Sequence, residues 1–293
     1  MNQEEYDPII QVVDSLPSQI GAALDAIGIR TPPSTGSTGA TDLQLFGRDE
    51  AAETLQSQAR LLQELSGDHL FAIPRLLSPP AMPFASFTCS RAILESSSQL
   101  LWLLDPTVAS SVRISRSMHL RFRGLEQELR LVQGEGAREA QSDSQLHQAR
   151  IVQRIEVVAK QAEGRGISTD RSPEGSIRSI GQRMPDATSL ARRYLDAERF
   201  YRIFSGVAHG QSSFVLRVGF TPLDRGAFEK SLNPQTALML LVRSGLWFAR
   251  MSWEYMLYNG WSPSAFTNIL ETTFTTLRLG EREMFWRSVQ SDD

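Results

Sequence analysis

Cysteine and lysine are nearly absent from this chain, and their scarcity limits the kinds of site that it can build. Cys89 is the only cysteine among 293 residues, so neither an intrachain disulfide nor a cysteine-based metal cluster can form. It lies in an apolar stretch, which favours a buried, inert thiol over a nucleophile. Lys160 and Lys230 are the only lysines. The excess of arginine indicates either genomic base composition or recognition of phosphate and carboxylate groups by planar guanidinium groups.

Long apolar runs and a basic leader are also missing. The N-terminus is acidic and lacks the basic and apolar regions of a signal peptide. The most apolar segment, residues 237–258, is interrupted by Arg243, Arg250 and Glu254, so no run of about 18 apolar residues occurs. We therefore expect a cytoplasmic protein without a membrane partner. The formal net charge of -3 argues against attachment to nucleic acid through bulk positive charge.

Several chemical motifs are absent as well. There is no glycine-rich phosphate loop, no His-Glu-x-x-His sequence, no paired carboxylate signature and no serine nucleophile elbow. His69, His119 and His147 lie on separate predicted elements without the spacing of metal ligands. We expect neither a metal site nor a cofactor.

The apolar pattern predicts an all-α protein, a bundle of seven to eight helices, because helical spacing recurs and no βαβ alternation is present. We expect residues 1–30 to form an accessory helix and residues 31–48 a flexible linker, followed by a single domain over residues 49–293. Further helices are predicted over about 49–65, 84–104, 108–133, 141–162, 188–209, 234–258 and 262–286. Residues 164–186 are predicted to be mostly loop. Residues 211–233 are ambiguous, and within them residues 213–220 could form a short strand or an extended segment, although the sequence offers no convincing partner strand.

The predicted helix at 188–209 carries the sharpest cluster of polar residues. Glu198, Arg202, Ser205 and His209, here called the polar stripe, are spaced so that they share one helical face. An arginine can stabilise negative charge on a phosphoryl group, and a histidine can move protons near neutral pH. Such residues also occur as ordinary i,i+4 surface pairs and as histidines stabilised by a helix C-terminus. The stripe is therefore either a site for phosphate chemistry or a structural feature of the helix.

The segment Tyr201-Arg-Ile-Phe-Ser-Gly-Val-Ala-His-Gly210 resembles the signature of HEPN-type helical domains, in which four to six residues lie between an arginine and a histidine. Here six residues separate Arg202 from His209. The resemblance implies a compact, usually dimeric helix bundle that cleaves RNA without a metal, often within toxin–antitoxin or antiviral defence systems. Ile203 stands where active members usually carry a polar residue, which favours a non-catalytic copy.

On this resemblance, Arg202 stabilises the scissile phosphate and His209 transfers a proton while the RNA 2′-OH attacks, leaving a 2′,3′-cyclic phosphate. Tyr201 and Ser205 would donate hydrogen bonds to phosphate oxygens, and Glu198 would orient Arg202. One copy supplies too little chemistry, so a homodimer is part of the hypothesis. The first hypothesis is thus a metal-independent endoribonuclease. The second is a non-catalytic dimeric module that binds a nucleotide or a protein partner.

Two pairs of opposite charge interrupt otherwise apolar helices. Arg91 and Glu95 are four residues apart, as are Arg250 and Glu254. Buried charges must be paired, so these residues are either structural ion pairs or, for Arg91 and Glu95 together with Arg243, polar neighbours of the stripe. We include Arg91 and Glu95 as supporting site residues.

The segment 112–123 contains four arginines and His119 but no acid. Such a segment is typical of a solvated helix face. The alternative is a surface that contacts the phosphate backbone of a nucleic acid, with binding that weakens steeply as salt increases.

Overall fold

The computed structural model describes residues 15, 18, 22, 32–46, 50–77, 81–134, 141–222, 228–230, 234–262, 264, 267 and 268. These residues are predominantly helical, which confirms the prediction of an all-α protein. The predicted accessory helix of residues 1–30 and the predicted helix at 262–286 lie almost entirely outside them.

The described part of the chain includes nine helices and two short hairpins whose bounds are defined. The helices are α1 (Thr38–Phe46), α2 (Glu50–Leu77), α3 (Pro83–Leu104), α4 (Ser110–Gly134), α5 (Gln141–Glu163), α6 (Ala187–Leu195), α7 (Glu198–Ala208), α8 (Ser212–Gly219) and α9 (Pro234–Asn259). Two antiparallel hairpins pair β1 (Thr169–Arg171) with β2 (Ile177–Ile180), and β3 (Phe220–Pro222) with β4 (Phe228–Lys230). None of the described helices is long and apolar enough to span a bilayer.

The chain divides into two compact units. Unit 1 comprises Met1–Ala40, Ala59–Leu104 and Asp186–Asp293, and unit 2 comprises Thr41–Gln58 and Asp105–Pro185. The sequence predicted one domain over residues 49–293 behind a flexible linker. Within that expected linker, residues 38–46 are helical and Asp42 is buried, because its carboxylate pairs with a buried arginine of unit 2.

Unit 1 is organised around α3, which is buried along most of its length and packs against α6, α7, α8 and α9. Phe87 of α3 meets Phe204 of α7 with ring centroids 5.5 Å apart, and Phe204 lies 6.0 Å from Trp247 of α9. The buried hydroxyls of Ser90 and Ser244 join α3 to α9 at 2.9 Å. This helix is the central buried helix that the apolar pattern predicts over residues 84–104.

The helix predicted over residues 188–209 is two helices, α6 and α7. Asp196 ends α6 with a φ of 47°, a left-handed conformation that aspartate tolerates better than most residues. Its backbone N–H donates to the carbonyl of Ala191. Gly210, with a φ of 66°, follows α7 as the expected stop. The polar stripe therefore begins at the first residue of α7 and ends at its C-cap, His209.

The segment 213–220, interpreted as a strand or extended piece, is mostly the short helix α8. The reason is tertiary, since Phe214 packs directly on α7. A Cβ atom added to Gly206 would lie 2.5 Å from the Phe214 ring, so the two helices approach as closely as a glycine permits. This packing overrides the strand preference of the valines and phenylalanines in the segment.

Unit 2 consists mainly of α4 packed on α5, with the β1–β2 hairpin against both. The hairpin lies within residues 164–186, which were predicted to be mostly loop; its strands are too short to produce a period-two pattern. Gly181, just after β2, has a φ of 66° and lies against the backbone of α4. A Cβ atom there would be 2.3 Å from the carbonyl oxygen of Ser115.

Three basic residues near the start of α4 are buried. Both interpretations of the segment 112–123, a solvated helix face and a surface for phosphate groups, are wrong for these three residues. Arg113, Arg116 and His119 are 3%, 2% and 4% exposed. Arg113 pairs with both carboxylate oxygens of Asp42, at 2.8 and 2.9 Å. These side chains are neither a solvated face nor a surface for phosphate groups.

Candidate functional site

His209 stands exposed at the C-terminal end of α7. As the C-cap residue it donates its backbone N–H to the carbonyl of Ser205 at 2.9 Å. The left-handed turn at Gly210 directs the chain away from the helix axis immediately afterwards. The helix end therefore places the imidazole at the surface, with Ser205 half-buried one turn before it.

Arg91 of α3 contacts this imidazole. Its Nη1 atom lies 3.3 Å from Nε2 of His209, although the two residues are 118 positions apart in the chain. Nε of the same guanidinium donates to Oε1 of Glu95 at 2.8 Å. The guanidinium carbon lies 5.5 Å from the centroid of the Tyr201 ring. The packing of α3 against α7 thus unites four predicted site residues, here called the α3–α7 cluster: Arg91, Glu95, Tyr201 and His209.

The environment of Arg91 keeps its guanidinium charged. Partial burial opposes the charge, but the hydrogen bond and negative charge of Glu95, with smaller contributions from Tyr201, raise the pKa of Arg91 above its ordinary value. A guanidinium carries five N–H donors and no acceptor. Arg91 therefore retains donors beyond those given to Glu95 and His209, and these suit an oxyanion.

Arg202 occupies a different part of the polar stripe. Its Nε and Nη2 atoms donate to a single oxygen, Oε1 of Glu198, at 3.0 and 2.7 Å. The side chain of Arg202 is 67% exposed, and Arg192 of α6 lies 3.7 Å from the other oxygen of Glu198. Within the described part of the chain, Arg202 makes no contact with His209. The predicted pairing of Glu198 with Arg202 is present, but the guanidinium that meets the imidazole is that of Arg91.

Because Arg202 is exposed, the polar stripe is not an internal hydrogen-bond network. A buried guanidinium would have to be fully paired inside the protein. An exposed i,i+4 pair contributes only a few tenths of a kcal/mol, about 0.3 to 0.5, because water solvates both partners. Little stability would be lost if Arg202 exchanged part of its contact with Glu198 for a ligand.

The other charged residues of the apolar helices contact side chains that belong to the packing of the fold. Arg250 and Glu254 form an ion pair at 3.0 Å with side chains 18% and 16% exposed. Arg243 lies over the ring of Phe200, at 5.2 Å from its centroid, and that ring packs on Trp247. Arg243 therefore meets α7 through its aromatic packing surface and not through the polar stripe.

The sequence left a position of Arg91 and Glu95 beside the polar stripe as one of two alternatives, on a weak signal, and it did not pair Arg91 with His209. That signal was a charged i,i+4 pair inside an apolar helix. Cys89 on the same helix is half-buried, and desolvation raises the pKa of its thiol, which agrees with an inert cysteine. The described residues contain no group of three or more His, Cys, Asp or Glu side chains arranged to hold a metal.

No family model, curated protein or solved structure matches this chain. The chemistry of the site is therefore inferred from its own geometry. A charged guanidinium beside an exposed imidazole can bind an oxyanion and can transfer a proton at the same place.

Proposed function

We propose that the polar stripe of α7, together with Arg91 of α3, is one half of a metal-independent ribonuclease site of HEPN type. The observation that carries the proposal is the 3.3 Å contact between Nη1 of Arg91 and Nε2 of the exposed His209. Cleavage of RNA by its own 2′-OH needs a group that accepts a proton and cations that stabilise the charge developing on phosphorus. A second copy of the chain would supply the other half.

Each residue has a defined task in this reaction. His209 accepts the proton of the 2′-OH as its oxygen forms a bond to phosphorus. The bond from phosphorus to the 5′-oxygen breaks, and that oxygen takes a proton from the partner's His209. Nη1 of Arg202, which does not contact Glu198, donates to a non-bridging phosphate oxygen. The products are a 2′,3′-cyclic phosphate and a free 5′-hydroxyl.

The test is cleavage of a 5′-labelled single-stranded RNA by the full chain in the presence of EDTA. We expect products that end in 2′,3′-cyclic phosphate. His209→Ala should lower kcat/KM by about 10²–10⁴, the usual contribution of general acid–base catalysis. Arg202→Ala should lower it by about 10²–10³, as does loss of a charge-stabilising donor.

Two matched controls distinguish the site from a contaminating nuclease or a general loss of structure. Arg60→Ala removes another exposed i,i+4 ion pair of unit 1, with Glu64 at 2.7 Å. His147→Ala removes a histidine that is 50% exposed on α5. Both should cleave like the wild type. Equal cleavage by the wild type and His209→Ala would contradict the proposal.

A second candidate is a non-catalytic dimeric module that binds a nucleotide. It is favoured by the engagement of Arg202 with Glu198 and by Ile203 directly after it. In that case no RNA is cleaved, but a nucleotide raises the Tm of the wild type because it binds only the folded chain. Arg91→Ala and His209→Ala should abolish the shift in Tm, whereas Arg60→Ala should preserve it. If a nucleotide leaves the wild-type Tm unchanged, this candidate is wrong.

A further inference from the structure

We infer that Arg91, held by Glu95, is a positioning residue that fixes the tautomer of His209, with Nε2 as the hydrogen-bond acceptor and the proton on Nδ1. The catalytic meaning of this inference rests on the proposed ribonuclease, whereas the tautomer is a property of the protein alone. Arg91 and His209 lie on different helices, α3 and α7, and meet only through their side chains.

The tautomer follows from the donors of the two groups. The guanidinium of Arg91 has no lone pair that accepts a hydrogen bond, so at 3.3 Å it can only donate to Nε2. A proton on Nε2 would place two donors against each other. A neutral imidazole in this contact therefore carries its proton on Nδ1.

Glu95 and Tyr201 hold the guanidinium in place for this role. Glu95 is one helical turn along α3 and accepts from Nε of Arg91 at 2.8 Å, which leaves Nη1 directed to the imidazole. The guanidinium also lies over the Tyr201 ring, with its central carbon 5.5 Å from the ring centroid. The side chain of Arg91 is 21% exposed, so it has far less freedom than Arg202 at 67%. Such support from a fixed neighbour is what orients a reactive side chain.

In the proposed reaction this arrangement has a direct consequence. His209 must accept a proton from the 2′-OH, and only an unprotonated ring nitrogen can do so. In the copy whose His209 acts as the base, Arg91 keeps Nε2 in that form. A phosphate that draws the Nη1 donor of Arg91 toward itself frees the Nε2 lone pair beside the substrate.

The experiment is a two-bond proton–nitrogen correlation spectrum of the full, ¹⁵N-labelled chain at about pH 8, where an ordinary histidine is neutral. The His209 signals are assigned by their loss in His209→Gln. We expect the wild type to show an unprotonated Nε2 and a protonated Nδ1. Arg91→Ala should move the ring toward the Nε2–H tautomer. Arg91→Lys keeps a donor and should restore part of the wild-type pattern, and Glu95→Gln should give a mixture.

Arg202→Ala is the matched control, because it removes a guanidinium from the same helix without touching the imidazole. It should leave the tautomer of His209 unchanged, as should Arg60→Ala. A wild-type ring protonated on Nε2, or an Arg91→Ala spectrum identical to that of the wild type, would overturn the inference. Should Arg91→Ala fail to fold, the spectra of the wild type, Arg91→Lys and Glu95→Gln still show whether Arg91 sets the tautomer of His209.

The two proposals fail separately. In the cleavage assay, Arg91→Ala should lower kcat by about 10–100-fold, as loss of a partner that orients a metal-binding histidine does, and Arg91→Lys should recover part of it. If the spectrum shows the expected tautomer but no RNA is cleaved, the ribonuclease proposal is wrong and the positioning role of Arg91 stands. If RNA cleavage depends on His209 but the spectrum shows a proton on Nε2, the positioning role of Arg91 is wrong and the ribonuclease proposal stands.

Discussion

Two arginine–histidine pairs of similar spacing occur in the two units, in opposite surroundings. Arg113 and His119 of unit 2 have five residues between them, and Arg202 and His209 of unit 1 have six. The first pair is buried in the protein, at 3% and 4% exposure. The second pair is exposed on α7. Spacing alone would make both pairs candidates, and burial distinguishes them.

The partners of the two arginines explain the difference. Arg113 contacts both oxygens of Asp42, and it also donates to the backbone of Asp105 and Val108. It is an internal cross-link, because its donors are used inside unit 2. Arg202 gives two donors to one oxygen of a half-buried glutamate, and most of its side chain is exposed. An arginine of the first kind stabilises the fold, and one of the second kind is available to a ligand.

The largest effect expected from this comparison is the loss of stability in Asp42→Ala. It leaves the charge of Arg113 buried without its carboxylate, which costs about 3–5 kcal/mol in comparable cases. Urea unfolding measures the change. Glu198→Ala, the equivalent removal in the exposed pair, should cost less than about 1 kcal/mol. The double variant Asp42→Ala/Arg113→Met should recover most of the loss because it removes the uncompensated buried charge of Arg113. Equal losses in the two single variants would contradict the comparison.

Gly181→Ala should have the next largest effect, because it disturbs the packing of the hairpin on α4 near His119. A residue other than glycine at this positive φ costs about 1–3 kcal/mol, and the new Cβ atom also meets the backbone of Ser115. Gly175→Ala is the matched control. Gly175 also has a positive φ, 88°, but no atom lies within 4 Å of an added Cβ. Thermal unfolding should show a smaller loss for Gly175→Ala, and a reversed order would disprove the steric contact.

A smaller and pH-dependent effect is expected at His119. Burial lowers its pKa, and the charges of Arg123 and Arg183 act in the same direction, although the carbonyl of Ile180, 3.2 Å from Nδ1, opposes them. As pH falls below about 6.5, histidine in the unfolded chain takes up a proton before His119 does in the folded chain. Unfolding then binds protons, so stability decreases with falling pH.

Comparing the wild type with His119→Gln between pH 7.5 and 5 isolates this contribution, since carboxylates titrate mainly at lower pH, near about 4. The free energy of unfolding should fall less steeply on acidification in His119→Gln than in the wild type. Identical pH slopes would show that His119 is not held neutral.

The smallest effect on stability is expected for Arg202→Ala. Its pair with Glu198 is exposed, so its loss should cost less than about 0.5 kcal/mol in urea unfolding. The same variant should lose most of its activity in the RNA assay, and that contrast is the signature of a functional side chain. A loss of about 2 kcal/mol, typical of a buried charge-assisted hydrogen bond, would instead make Arg202 a structural residue.

The long helices were predictable from local signals. The bounds of α3 and α5 were predicted within one or two residues, because prolines and glycines flank continuous helical periodicity. The helix predicted to end near Leu65 extends to Leu77 through Pro74. Short elements were missed for the opposite reason. The eight residues of α8 and the strands of both hairpins depend on contacts such as that of Phe214 with Gly206, which no local pattern records.

The sequence by itself determined the helical class, because helical spacing of apolar residues recurs along the chain. It also placed an arginine and a histidine seven residues apart at the end of one predicted helix. Only the tertiary structure decided which arginine meets the imidazole. Arg91 and His209 are 118 residues apart, and their contact exists because the apolar faces of α3 and α7 pack together. Tertiary packing also buried Arg113 and His119 and left Arg202 and His209 in solvent, because burial depends on which helices surround a residue.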